Sequence, residues 1–171
     1  SKIEANMNEM DFEVFSITDT VNDIINRFSR LREHDNYHID FNSNQSALVS
    51  ADQAKISQVI YNLLINAMTY TGPDKRVTVN QIVQNGKIHI QIIDYGEGIS
   101  PESLDHVWDR YYRAEENHKR AVTGAGLGLS IVKSILDKHP GVEYGVESEM
   151  GHGSMFWFAL PCYNEPSRDK A

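Results

Sequence analysis

What the chain has little of narrows its class first. It holds a single cysteine, Cys162, so no disulfide can form within it and nothing in its thiol content points to an oxidising compartment. No apolar run approaches the ~20 residues needed to cross a bilayer. Asn6, Glu9, Asp11 and Glu13 interrupt the apolar stretches at the start, so no signal-peptide pattern opens the sequence. Cations are in the minority: 16 Lys and Arg stand against 24 Asp and Glu, a formal net charge of -8. That balance argues against nucleic acid as a partner and against direct membrane contact, because phosphate surfaces demand clustered Lys and Arg. An anionic ligand is still compatible where backbone N–H groups or a few local cations hold it. Neither internal repeats nor low-complexity segments occur. The expectation is a cytoplasmic domain, whose parent could still be anchored in a membrane upstream.

What is present suits one globular domain. The 171 residues, 40% hydrophobic and 23% charged, can bury a core without covalent staples. Ile3, Met7 and Met10 have helical spacing in residues 1–10, a weak signal. Phe12, Val14 and Phe15 suggest a short strand. Val21, Ile24, Ile25, Phe28 and Leu31 then mark one face of a helix over Thr18–Arg32. Two short strands are expected around Ile39–Phe41 and Ala47–Val49. Ser50-Ala51-Asp52-Gln53 resembles a capping box ahead of a second helix, with Ile56, Val59, Ile60, Leu63, Leu64 and Ala67 inward. Asn85-Gly86 separates two alternating runs, a strong hairpin pattern. A short helix is expected from Ser100-Pro101, a third long one over Leu127–Lys138, and a closing strand pair around Val142–Val146 and Phe156–Leu160. Helices and strand pairs in alternating blocks predict a two-layer α/β sandwich, with a mixed, largely antiparallel sheet and three main helices on one face.

Three constellations could carry chemistry. Asn62 and Asn66 sit at i and i+4 on one helix side, where their amide oxygens could reach one hard cation shared with phosphates. Two solvated polar residues would give the same pattern. Asp94-Tyr95-Gly96-Glu97-Gly98 follows a strand, placing the Asp94 carboxylate at the sheet edge to accept from a ligand amine. Gly96 and Gly98 clear space for a flat ligand or for neighbouring backbone; an ordinary turn is the plain alternative. Gly124-Ala125-Gly126-Leu127-Gly128 opens the third helix, where N–H groups and the helix dipole favour phosphate. No Gly-Lys-Ser/Thr follows it, and no buried strand precedes it, so it is neither a Walker loop nor a dinucleotide fingerprint.

In this order and setting, the three resemble the N, G1 and G2 boxes of the Bergerat ATP-binding fold. Trp108-Asp109-Arg110-Tyr111-Tyr112-Arg113 is similar to the F box of sensor histidine kinases, and Gly151-His152-Gly153-Ser154 with the strand to Pro161 looks like that family's closing strand. The resemblance spans roughly residues 11–161. It implies ATP and Mg²⁺ as cofactors, with Asp94 on the adenine amine and Asn66, joined by Asn62, on the metal. Tyr70 would flank the nucleotide beside Gly96 and Gly98, and Arg113 would reach the γ-phosphate. Asn62 and Arg113 are the residues it assigns to catalysis. Gly124, Ala125, Gly126, Leu127 and Gly128 would contact the phosphates, the glycines hinging a lid of about residues 114–123.

Two departures stand out. Asn66-Ala67-Met68-Thr69-Tyr70 has Thr69 where the family usually has a phosphate-contacting lysine, and Trp108 replaces a common phenylalanine. Hydrolases and serine kinases of this superfamily carry a glutamate base at the place of Asn62, whereas a histidine acceptor is already a neutral nucleophile near pH 7. The pattern therefore implies a histidine kinase, with an ATP-hydrolysing relative or an inactive nucleotide-binding module as alternatives. None of the seven histidines has both the following acid and the downstream proline of the family's phosphorylated site. The implied layout is the end of a dimerisation helix and linker in 1–10, the catalytic domain in 11–163 and a polar tail in 164–171. Its implied partners are the parent homodimer's own dimerisation domain and a response regulator receiver domain. His34 and His38 have metal-ligand spacing, but Asp35-Asn36 between them suggests a turn.

Overall fold

The hairpin at Asn85-Gly86 sets the centre of the sheet. In the computed structural model, which describes residues 9–31, 33–109 and 128–164, both turn residues have positive φ, 54° and 75°. That is the type I′ geometry whose twist matches the flanking strands. Strands β4 (Arg76–Gln84) and β5 (Lys87–Asp94) therefore pair antiparallel from Gln84↔Lys87 to Val77↔Asp94. Strand β7 (Ser154–Pro161) pairs with the other side of β5, β6 (Glu143–Ser148) closes that edge, and β2 (His38–Ser43) joins β4 in parallel. The order is β2-β4-β5-β7-β6, a mixed and largely antiparallel sheet, as its sequence pattern predicts.

Alternation fixes which sheet face is dry. Val77 and Val79 on β4, Ile88, Ile90 and Ile92 on β5, and Phe156, Phe158 and Leu160 on β7 are all buried. They meet helix α1 (Ile17–Leu31), helix α2 (Gln53–Tyr70) and helix α4 (Gly128–Leu136); a single turn, α3 (Pro101–Leu104), is capped by Ser100. Val21, Ile24, Ile25 and Phe28 form the inner stripe of α1. Helix α2 buries a wider arc, Ile56, Val59, Ile60, Leu63, Leu64, Ala67 and Met68. It needs one, because α1 and α4 flank it while β4 and β5 lie beneath.

Two local expectations are corrected. Ser50 does not open a capping box: it lies in β3 (Leu48–Asp52), paired opposite Val14 of β1 (Phe12–Ser16). That ladder holds Ser50 extended, so Asp52 becomes the N-cap of α2 and accepts from Lys55 N at 3.1 Å. Strands β2 and β3, close in sequence, belong to different sheets, β1 and β3 forming a two-stranded one. The third long helix ends at Leu136, earlier than Lys138, through i−3 bonds from Lys138 N to Ile135 O and His139 N to Leu136 O ahead of Pro140.

Asp52 also ties this corner together. Its Oδ2 accepts from Asp11 N at 3.0 Å, and its own N–H donates to Nε2 of His139 at 3.2 Å. His139 is 3% exposed, with Nδ1 2.9 Å from the Ile135 carbonyl, so the ring is the neutral Nδ1–H tautomer. Burial holds its pKa below the ordinary 6.5, against opposing pulls from the Ile135 carbonyl and the Asp52 carboxylate. A depressed imidazole pKa means that the unfolded chain binds the proton more tightly. Stability is then complete above the ordinary value and is lost as pH falls below about 6.5. Urea midpoints should drop between pH 7.5 and 5.5 in the native chain, and drop less in His139→Gln, which loses the titrating group.

Candidate nucleotide-binding site

The predicted motifs converge at one end of the sheet, where α2 stops and β5 ends. Asp94 is the last residue of β5, opposite Val77 and Ser154, and is 1% exposed. Since β5 is the middle strand, the carboxylate sits at a strand end in the centre of the sheet rather than at its lateral edge. Its Oδ1 accepts from Gly96 N at 3.0 Å, a side-chain turn that fixes the carboxylate before any ligand arrives.

Backbone contact decides why glycines surround Asp94. A Cβ on Gly96 would lie 1.9 Å from the Tyr70 carbonyl oxygen, at the last turn of α2. Gly98, at φ +83°, would place one 2.5 Å from the Glu149 carbonyl; Gly153, also at +83°, would put one 2.0 Å from the Asp94 carbonyl. No side chain fits at such distances. Of the two roles open to Gly96 and Gly98, clearance for neighbouring backbone is the one these contacts explain. Thr71 and Gly72 continue the seam: Tyr95 N donates to Thr71 Oγ1 at 3.1 Å, and a Cβ on Gly72 would sit 2.7 Å from the Tyr95 carbonyl. On the other flank Ser148 Oγ accepts from Ile99 N at 2.8 Å and donates to the Gly153 carbonyl at 2.7 Å. The end of α2, the loop after β5 and the turn before β7 are thus locked around one buried carboxylate.

Sequence reasoning gave Gly72, Thr71, Ser148 and Gly153 no part in this. Gly153 reads only as part of a closing-strand motif. A glycine between two polar turn residues was the available signal for Gly153.

Asn62 and Asn66 are half-buried on α2, beside the fully buried Leu63 and Leu64. The Asn66 Nδ2 is shut off from solvent and has no hydrogen-bond partner. Such a group normally costs ~1–3 kcal/mol. Thr69 is exposed, and its hydroxyl donates back to the Ile65 carbonyl at 2.7 Å, so it stabilises its own helix. Gly128 begins α4, and among the described residues nothing lies within 4 Å of where its Cβ would be. Arg113, Gly124, Ala125, Gly126, Leu127 and the expected lid lie outside the described residues.

Taken together, the motifs and this arrangement match known proteins. The family model described as "Histidine kinase-, DNA gyrase B-, and HSP90-like ATPase" matches residues 51–164. The chain belongs to that family. Within it, this is an ATP-binding catalytic domain of the sensor histidine kinase type. It is 31% identical over 169 residues to the sensor histidine kinase RppB of Synechocystis, covering 97% of this chain and 37% of that protein. To the sensor protein kinase WalK of Staphylococcus aureus it is 32% identical over 164 residues, 95% of this chain and 39% of the relative. The chain thus spans well under half the length of these kinases. The nucleotide-free catalytic domain of histidine kinase ThkA superposes with a TM-score of 0.77 at 25% identity, covering 89% of this chain and 96% of that one. Among the described residues no helix is long and apolar enough to cross a membrane.

Proposed function

We propose that this catalytic domain binds Mg·ATP and delivers the γ-phosphoryl group to a histidine on the dimerisation domain of its own parent, a homodimeric sensor kinase. The observation that carries this reading is the buried Asp94, locked between the end of α2 and the turn before β7. A buried carboxylate presented at a strand end suits the 6-amino group of adenine, where guanine would oppose it with a carbonyl oxygen. The phosphates would be served by the N–H groups of Gly128, which opens α4, and of Gly124, Ala125, Gly126 and Leu127 before it in sequence, with Arg113 toward the γ-phosphate and Tyr70 beside the nucleotide.

The metal fits the residues present. Asn66 carries a buried amide atom without a partner, and turning the amide exchanges its nitrogen for its oxygen. Neutral oxygens of Asn66 and Asn62 suit a hard cation shared with phosphates. Mg²⁺, when bound, neutralises charge on the transferring group. Neither asparagine can take up a proton, so the domain supplies positioning rather than a base, as a histidine acceptor allows. A response regulator receiver domain would then take the phosphoryl group from that histidine; ThkA, similar in fold, is known in complex with the response regulator protein TrrA.

Calorimetric titration tests the nucleotide part. ATP should bind one to one, more tightly with Mg²⁺ than without, and GTP should be rejected. In Asn66→Ala the gain from Mg²⁺ should vanish while metal-free ATP binding persists. Equal affinity for GTP, or a metal gain untouched by Asn66→Ala, would overturn these assignments.

A further inference from the structure

A three-residue clasp on the surface ties the end of α4 to β6. Tyr144 of β6 donates from its hydroxyl to Asp137 Oδ1 at 2.6 Å. Lys133 of α4 donates to Asp137 Oδ2 at 2.8 Å and to the Tyr144 hydroxyl at 3.2 Å, with its ammonium 5.9 Å from the ring centroid. The ring of that tyrosine meets Trp108 edge to face, centroids 5.4 Å apart, and Trp108 packs likewise on the buried Phe156 at 5.6 Å. Trp108 lies five residues before Arg113, and Lys133 five residues after Gly128. One side chain of β6 therefore touches the aromatic that leads toward Arg113 and, through Asp137 and Lys133, the helix that Gly128 opens.

We propose that Lys133, Asp137 and Tyr144 are positioning residues that set α4, and with it Gly128 at its start, against the adenine-binding end of the site. This rests on the nucleotide reading above. Asp94 belongs to β5, which is bonded to β7, which is bonded to β6. The clasp is where that rigid frame grips α4 and Trp108 on the sheet's far flank. Stability is not an adequate reason for it. Lys133 and Asp137 are 46% and 47% exposed, and pairs so exposed add little. Orientation is the better one, because a Lys and a Tyr held on one carboxylate fix the roll of α4. The charges agree with that role: hydrogen bonding to Asp137 and Tyr144 raises the Lys133 pKa, Lys133 and then Tyr144 lower that of Asp137, and burial raises that of Tyr144. At neutral pH the clasp is thus ammonium, carboxylate and neutral phenol.

The readout is the ratio of ADP to ATP dissociation constants, measured by calorimetry with Mg²⁺ on this 171-residue chain. Tyr144→Phe keeps the ring on Trp108 and removes the hydroxyl; Lys133→Met keeps the stem and removes the charge. Each should cut the preference for ATP by about two- to fivefold, the scale of an anion at a helix N-terminus. ADP affinity and the urea midpoint should hold in both, and Lys133→Arg should restore the preference. Generic destabilisation would move the midpoint and both nucleotides together, which would overturn the proposal. A preference retained in both variants would overturn it while leaving the nucleotide reading intact. No ATP binding by the unaltered chain would overturn the nucleotide reading, and the clasp with it.

Discussion

Asp94→Asn should weaken ATP binding by about ten- to a hundredfold, the ~1.5–3 kcal/mol scale of a hydrogen bond to a charged group. Asparagine keeps the shape and can still accept from Gly96 N, so the loop after β5 should survive. What changes is the sign of the second contact, since an amide N–H₂ would then oppose a ligand amine. Calorimetry with ATP, run beside urea unfolding, separates the two effects. Affinity should fall while the unfolding midpoint moves little, and unchanged ATP affinity would remove Asp94 from the adenine contact. Low affinity alone would not suffice: the variant must also lose its discrimination against GTP, because that discrimination resides in the same carboxylate.

The second large effect concerns turnover. A general base is typically worth ~10²–10⁴-fold, and Asn62 stands where hydrolytic relatives of the superfamily carry glutamate. The isolated chain should therefore bind Mg·ATP but hydrolyse it about 10²–10⁴-fold more slowly than the glutamate-bearing relatives. Release of labelled phosphate over hours is the measurement, and robust hydrolysis by the pure domain would favour the ATPase reading. Thr69 leads to a related point. Its hydroxyl bonds its own helix, so nothing at that position replaces a phosphate-contacting lysine.

Much of this was legible in the sequence, for physical reasons that also mark where legibility stops. Helices α1 and α2 and the β4–β5 hairpin declare themselves because a 3.6-residue stripe, a period of two and an Asn-Gly turn are local signals. Pairing between distant short strands is not local. Nothing in Phe12–Ser16 names Leu48–Asp52 as its partner, and that pairing moved the α2 cap from Ser50 to Asp52. The site divides in the same way. Asp94 and its glycines follow a strand in an ordered pattern and could be read. Gly153 and Gly72 act only by letting distant backbone come close, so their reason becomes visible when Asp94 O and Tyr95 O are seen against them. The clasp of Lys133, Asp137 and Tyr144 pairs an i, i+4 helix contact with a tyrosine on β6, and only the first half has a sequence signature.

Phosphotransfer itself is tested most directly with γ-labelled ATP and the dimerisation helices of the parent protein, supplied as a separate chain. This chain alone should retain no acid-labile, base-stable label. With the helices and Mg²⁺ present, the label should appear on a histidine of the helices, because orienting the two reactants supplies most of the rate. ATP bound by the domain with no label on its own helices would contradict the kinase reading and favour an inactive nucleotide-binding module, with Thr69→Lys the first variant to try in restoring transfer.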